Sequence, residues 1–358
     1  MTRPGAAPAG GDPADPVALV GEFPLIARVV ARAGTARLAD VGPGDDAAVV
    51  RTPDGRVVVC TDVLVEGRHF RRDWSSGRDV GHKAAAANLA DVAAMGAVPT
   101  ALLVGLACPA DTPVGWLEEV AEGMAAECAP SGAAVVGGDT SASAPDSAAV
   151  VLSVTALGDL EGRPPVLRSG ARPGDVVALA GRLGWSAAGY ALFRAGAVAG
   201  AGDGPAALVV RAHRRPEPPY GAGPAGARAG ATSMCDVSDG LLADAGHLAA
   251  ASGVVLDLDR AALAGPGAGP PLAAVAAALG VDPLGWVLTG GEDHALVGTF
   301  PPGARLPEGW SVVGRVVDGA PGVLLDGVAA EQVARELQPG GAAAGDTVGR
   351  GTGHEHFR

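Results

Sequence analysis

The sequence predicts two domains, each mixing α-helices with β-strands. Three observations lead there. Its 358 residues exceed a single ordinary domain of roughly 100–200 residues. Strand-length β-branched runs are interspersed with alanine-rich helical stretches, in an order that is neither all-β nor one βαβ series. A Pro/Gly-rich connection, EGRPPVLRSGARPGD at 161–175, interrupts the pattern near its middle. The expected division is a disordered tail at 1–20, one domain at 21–160, a second at 161–335 and a flexible segment at 336–358.

In chain order, GEFPLIARVVARAG reads as a short amphipathic helix with Leu25, Ile26, Val29 and Val30 on one side. RVVVCTDVLVEG, from Arg56 to Gly67, reads as a buried strand carrying Asp62. From Asp79 to Ala97 an alanine-rich helix is expected, stopping at Gly96 ahead of Pro99, with Asn88 and Asp91 on one face. A strand TALLVGLA follows, then a helix from Pro113 to Cys128 with Thr112 as its expected N-cap and an apolar stripe of Val114, Leu117, Val120, Met124 and Cys128. AAVVGGDT and AAVVLSVTALG read as strands around a loop that holds Asp139. Farther on, DVVALAG, VVLDLD, HALVGTF and WSVVGRVV read as strands, and the stretches near Ser186–Ala195 and Leu241–Ala251 as helices. Gly/Ala runs at 197–206, 221–231 and 263–270 read as loops, and 339–352 as a flexible tail.

Composition removes several classes of function. A net charge of −13 disfavours nucleic acid and anionic membranes as partners. No uninterrupted apolar run approaches the ~18 residues of a membrane span. The first twenty residues lack a basic region and an apolar segment, so no secretory signal is expected. Cys60, Cys108, Cys128 and Cys235 are widely spaced with no CxxC pair, which suits reduced core thiols in the cytoplasm. The single lysine, Lys83, precedes Ala84, so a GK[ST] phosphate loop is excluded. Phosphate chemistry would then rest on arginine, backbone N–H groups or metal ions.

Glycine-associated acids recur along the chain: Asp45-Asp46 in VGPGDDAAVV, Asp62, Asp139 in GGDT, Asp236 and Asp239 in CDVSDG, and Glu292-Asp293 in GGED. An Asp beside Gly is also ordinary turn chemistry. Most of these, however, stand where an apolar run meets a glycine turn, a place where side chains converge at strand ends. Converging carboxylates repel by about 4 kcal/mol per pair at 4 Å and an effective dielectric near 20. A divalent cation removes that cost, and oxygen donors without a His/Cys cluster suit Mg²⁺ completed by phosphates. Gly137-Gly138 would allow close backbone approach, and Arg168 in LRSGARPGD offers a planar fork of donors, although a loop arginine is more often a solvated surface cation. His69 in VEGRHF reads either as a substrate contact or as a partly buried ring, and Asp91 on its alanine-rich face must meet solvent or a partner.

The ordered series GEFPLIAR, GPGDDAAVV, TDVLVEGRHF, KAAAANLADVAAMGA, VVGGDT, RSGARPGD, DVSDGL and GGEDHAL closely resembles the thiamine-monophosphate kinase family, of the aminoimidazole ribonucleotide synthetase-like (PurM-like) fold. The resemblance runs from about Gly21 to beyond Asp293, with a weaker echo in the final GHEHF. It implies the fold class α/β and α+β: an N-terminal α/β domain that binds ATP and Mg²⁺ and dimerises through its sheet, and a C-terminal α+β domain. It also implies ATP-dependent phosphorylation of thiamine monophosphate with several Mg²⁺ ions, in a cytoplasmic homodimer.

Carried over motif by motif, Asp46, Thr61, Asp62, Asp91, Asp139, Asp236 and Asp239 resemble metal ligands. Gly138, Arg168 and Ser238 resemble ATP contacts, and His69 and Glu292 substrate contacts. Asp46, Asp91, Asp139, Arg168 and Asp239 are the implied catalytic set. His82, His294 and His354 stand where many relatives carry tyrosine, so the residue stacking on the thiamine rings stays unassigned, Phe357 and Trp185 included. Another ATP-dependent enzyme of the same fold, or a non-catalytic Mg²⁺-nucleotide binder, remains the alternative.

Overall fold

The computed structural model describes residues 12–20, 22–32, 34–41, 48–144, 148–197 and 203–337. They form two compact units, one of residues up to Val92 with Val98–Gly162, the other of Ala93–Ala97 with the chain from Arg163 onward.

The first unit contains α1 (Val17–Val20), α2 (Glu22–Val30), the pair β1 (Ala39–Val41) and β2 (Val49–Val50), β3 (Val58–Val65), α3 (Gly77–Ala94, its end in the second unit), β4 (Val98–Cys108), α4 (Val114–Cys128), β5 (Val135–Ala142) and β6 (Val151–Asp159). The four long strands form one sheet in the order β3-β6-β4-β5. β4 and β5 are parallel because α4 carries the chain back between them, and the other pairs are antiparallel. The two-residue period of β3 sends Cys60 and Asp62 toward α3, where both meet Asn88. Val59 and Val63 leave on the other face, 59% and 49% exposed.

Two expectations change here. Thr112 does not cap α4: the cap position is Pro113, with no side-chain bond. The free N–H groups of the first turn are instead taken by the carbonyls of the expected N-terminal tail, Val114 N donating to Asp15 O and Gly115 N to Pro13 O. Asp139 stands not in a loop but inside β5, because parallel pairing with β4 continues through Gly138↔Val104 and Asp139↔Gly105 to Ala142.

The second unit contains β7 (Val176–Ala180), α5 (Trp185–Arg194), α6 (Pro205–Arg214), α7 (Ala222–Arg228), β8 (Ser233–Val237), α8 (Leu241–Ser252), β9 (Val255–Leu258), α9 (Arg260–Leu263), a π turn (Ala264–Ala268), α10 (Gly269–Leu279), α11 (Pro283–Thr289), β10 (Ala295–Phe300), β11 (Trp310–Val317), β12 (Gly322–Leu325), β13 (Val328–Ala329) and α12 (Ala330–Leu337). Its seven strands run β13-β12-β9-β11-β7-β10-β8, antiparallel except for β12 on β9. Met234, Leu296, Phe300 and Trp310 centre one core cluster.

The Gly/Ala runs expected as loops at 221–231 and 263–270 contain α7, the π turn and the start of α10. Packing overrides the weak helix propensity of glycine. Gly226 has the Trp310, Met234 and Phe300 side chains directly over it, and Ala222 and Ala227 pack on the same cluster. Among the described residues no single helix is long and apolar enough to cross a membrane; α10 and α11 reach the length only as a pair bent by 119°.

Candidate functional site

In the first unit, β3 and α3 bring Asp62 and Asp91 to one neighbourhood. Asn88, fully buried, accepts from Asp62 N at 3.1 Å and donates to Ala84 O at 3.0 Å, which fixes the strand against the helix. Cys60 feels both: burial raises its thiol pKa, and the nearby charges of Asp91 and then Asp62 raise it further. The thiol is therefore inert, and both carboxylates are its neighbours.

Thr61 leaves β3 on the opposite face, donating to Val154 O at 3.0 Å and accepting from Thr155 Oγ1 at 3.0 Å. Asp139 shares a cross-strand row with Gly105, Ser153 and Val63, so it lies on Thr61's face of the sheet. It stands on the far edge strand, about 14 Å from β3 at ~4.8 Å per strand. Gly138 is required beside it, since a Cβ there would sit 2.0 Å from Val104 O.

His69 follows β3 in a tight turn, its Nδ1 accepting from Val65 N at 2.9 Å, which assigns the ring proton to Nε2. Buried Lys83 donates to His69 O at 3.3 Å. His82, one of the departures from tyrosine, pairs with Glu127 at 2.7 Å. Asp46 lies outside the described residues.

In the second unit, β8 and β10 are antiparallel neighbours with Ala295 opposite Val237, so the loops SDG after β8 and GGED before β10 are mated. Glu292 N donates to Ser238 O at 2.8 Å, and His294 N to Val237 O at 3.0 Å. Gly291 makes this fit possible, because a Cβ would meet Ser238 O at 2.3 Å. Glu292 and His294 both take left-handed backbone, at φ 64° and 51°. The imidazole of His294 donates from Nδ1 to Asp236 Oδ2 at 3.0 Å, and both residues are buried.

Asp244, in the first turn of α8, joins this group, and in the sequence only its place at a helix start, five residues after Asp239, points to it. Its Oδ2 accepts from Asp239 N at 3.1 Å. Burial, then the charges of Asp236 and Asp239, push its pKa up to about 7, while Arg168 pulls the other way. Exposed Arg168 is thus within reach of the acidic group, and its loop is held by Ser252, whose hydroxyl donates to Arg168 O and accepts from Gly170 N and Ala171 N. Asp293 is buried and accepts from Ser186 N at 2.9 Å. Its Oδ2 accepts no hydrogen bond among the described residues, and burial above all raises its pKa to about 7.

The site residues therefore gather as Asp62 with Asp91 in one unit and as Asp236, Asp239, Asp244 and Arg168 in the other. Among the described residues no three acids, histidines or cysteines form a closed metal cage. The carboxylate donors are all oxygen, which fits Mg²⁺, an ion usually held by one or two carboxylates plus phosphate and water oxygens.

Residues 44–160 match the family "AIR synthase related protein, N-terminal domain", and residues 172–289 its C-terminal domain. A Mycobacterium tuberculosis protein named thiamine-monophosphate kinase is 51% identical over 308 residues, 86% of this chain and 88% of the relative. The crystal structure of thiamine-monophosphate kinase from Stenotrophomonas maltophilia K279a superposes with a TM-score of 0.74 at 33% identity, covering 86% of this chain and 97% of the other. A solved structure of AaThiL complexed with AMPPCP and TMP has a TM-score of 0.70 at 32% identity, with 86% and 94% covered.

Proposed function

The chain belongs to the thiamine-monophosphate kinase family, and on that premise we propose that it transfers the terminal phosphoryl group of ATP directly onto thiamine monophosphate, yielding ADP and thiamine diphosphate. The observation that carries this is the 51% identity over 86% of the chain to a relative of that name. The oxygen-only acidic groups support it. Asp62, Asp91, Asp236 and Asp239 are the proposed Mg²⁺ ligands within these groups; Asp46, Thr61 and Asp139 are proposed ligands on the resemblance alone, Thr61 and Asp139 standing on the other face of the first sheet, and on the same ground Gly138, Arg168 and Ser238 are assigned to ATP and His69 and Glu292 to thiamine monophosphate. Mg²⁺ held there would neutralise the charge that keeps two polyanions apart and align the transfer in line.

The chain's own residues then have a limited task. A phosphate monoester has its second pKa near 6, so the attacking oxygen is already ionised at neutral pH and needs no general base. Arg168 adds a planar donor fork for the transferring group. His69 is held through its ring and its carbonyl, Nδ1 accepting from Val65 N and the carbonyl from Lys83. A homodimer and a cytoplasmic setting belong to the same proposal. The exposed sheet face bearing Val59, Val63 and Leu103 supports the first, and four free cysteines support the second.

Anion-exchange analysis after mixing the protein with ATP, Mg²⁺ and thiamine monophosphate tests this function. Equal ADP and thiamine diphosphate, with none from free thiamine, is the expected result. Mg²⁺-dependent ATP binding without product would overturn it in favour of a different phosphoryl acceptor.

A further inference from the structure

Ser186, His213 and Glu292 form a polar cluster in the second unit that no sequence spacing announces. Ser186 lies in the first turn of α5, His213 near the end of α6, and Glu292 in the GGED loop. His213 Nδ1 is 3.0 Å from Ser186 Oγ and 3.5 Å from Glu292 Oε2, and Ser186 Oγ is 3.3 Å from the same carboxylate oxygen. Ser186 and His213 are buried, whereas the Glu292 side chain is 37% exposed. The carboxylate is thus the end of the cluster that a solute reaches.

Donor and acceptor capacities set the direction of the bonds. An ionised carboxylate only accepts, so the Ser186 hydroxyl donates to Glu292, and its oxygen accepts Nδ1–H from His213. The imidazole is itself clamped, with the Tyr190 and Phe193 rings at centroid distances of 5.8 and 5.7 Å. Glu292 takes left-handed backbone, an unfavourable choice for a side chain with a Cβ and one that persists where surroundings over-determine it. Two buried groups therefore converge on one exposed carboxylate whose backbone is already fixed.

We propose that His213, acting through Ser186, is a positioning residue that holds the Glu292 carboxylate for the cationic, amine-bearing ring portion of the substrate. This rests on the reading of Glu292 as a substrate contact and deepens it. Glu292 is not among the proposed Mg²⁺ ligands, and a carboxylate with no cation between repels phosphate, so Glu292 faces the charged ring end of thiamine monophosphate and not its phosphoryl end. Holding one rotamer in advance spares the ordering cost at binding, which places the effect in substrate affinity. His213 and Ser186 are then determinants of KM for thiamine monophosphate, not of the phosphoryl-transfer step.

The test compares Ser186→Ala, His213→Phe, His213→Asn and Glu292→Gln by steady-state kinetics with each substrate varied, alongside thermal melting. Phenylalanine keeps the ring between Tyr190 and Phe193 but lacks the donor; asparagine can return an N–H close to Nδ1. The expected result is a KM for thiamine monophosphate raised about tenfold in Ser186→Ala and His213→Phe, equivalent to one hydrogen bond, with KM for ATP and kcat near wild type and recovery in His213→Asn. If Glu292→Gln raises that KM but Ser186→Ala does not, the positioning role is overturned while the Glu292 reading stands. An unchanged KM in Glu292→Gln overturns the reading itself, and the positioning role with it. Should His213→Phe fail to fold, Ser186→Ala decides.

Discussion

Asp62 and Asp91 sit half-buried beside an open sheet, whereas Asp236 and Asp244 are buried under mated loops with an imidazole and a backbone N–H as partners. In the first pair a side chain, Asn88, reaches across from a helix to the Asp62 backbone. The second is organised by backbone: a strand pairing, two left-handed residues and a glycine with a carbonyl against it. Acids that keep contact with water tolerate simple support, but buried ones raise each other's pKa unless donors surround them. The difference predicts that the second group fails through backbone changes and the first through side-chain changes.

The largest effect should come from Gly291→Ala, which forces a Cβ to 2.3 Å from Ser238 O. The loops must part, so a destabilisation of about 3 kcal/mol is expected in chemical denaturation. A loss below about 0.5 kcal/mol would break the contrast. Asn88→Ala should cost less, about 2 kcal/mol, by leaving Asp62 N without its buried acceptor, and should raise the Mg²⁺ concentration needed for half activity.

The smallest effect is on pH dependence. Asp293 has a pKa raised from 3.8 to about 7 by burial. A raised folded pKa means the native state holds the proton more tightly. The stability this contributes is full below about 3.8 and is lost as pH rises through about 7. Asp293→Asn keeps an acceptor for Ser186 N but cannot ionise, so its melting temperature should gain on wild type across that window. A constant difference from pH 4 to 8 would assign Asp293 no part in the pH response.

Much of the fold is legible because burial writes itself into local pattern. The strand over Arg56–Gly67 forms as Val58–Val65, although one of its faces is exposed where a buried strand is expected, and the alanine-rich stretch forms α3, since β-branched runs and continuous helix formers leave little choice. What local pattern misses depends on partners distant in sequence. The glycines around Gly226 read as a loop until Trp310 and Phe300 are packed against them. GGDT looks like a turn until β4 pairs through it, and Thr112 looks like a cap until the segment at Pro13 and Asp15 supplies the carbonyls. At the site, the acids were visible through their glycines and Asp244 only faintly. Ser186 and His213 gave no signal, because 27 and 106 residues separate Ser186 from its two partners.

The proposed kinase activity turns on both acidic groups holding metal. The most direct measurement is Mn²⁺ binding, in place of Mg²⁺, with a non-hydrolysable ATP analogue present, for wild type, Asp91→Asn and Asp239→Asn. Weaker Mn²⁺ binding is expected in each variant, with unchanged melting temperatures and a loss of activity on the order of 10²- to 10³-fold. Full Mn²⁺ binding with the same loss of activity would contradict it, and would make the missing carboxylate a proton acceptor instead.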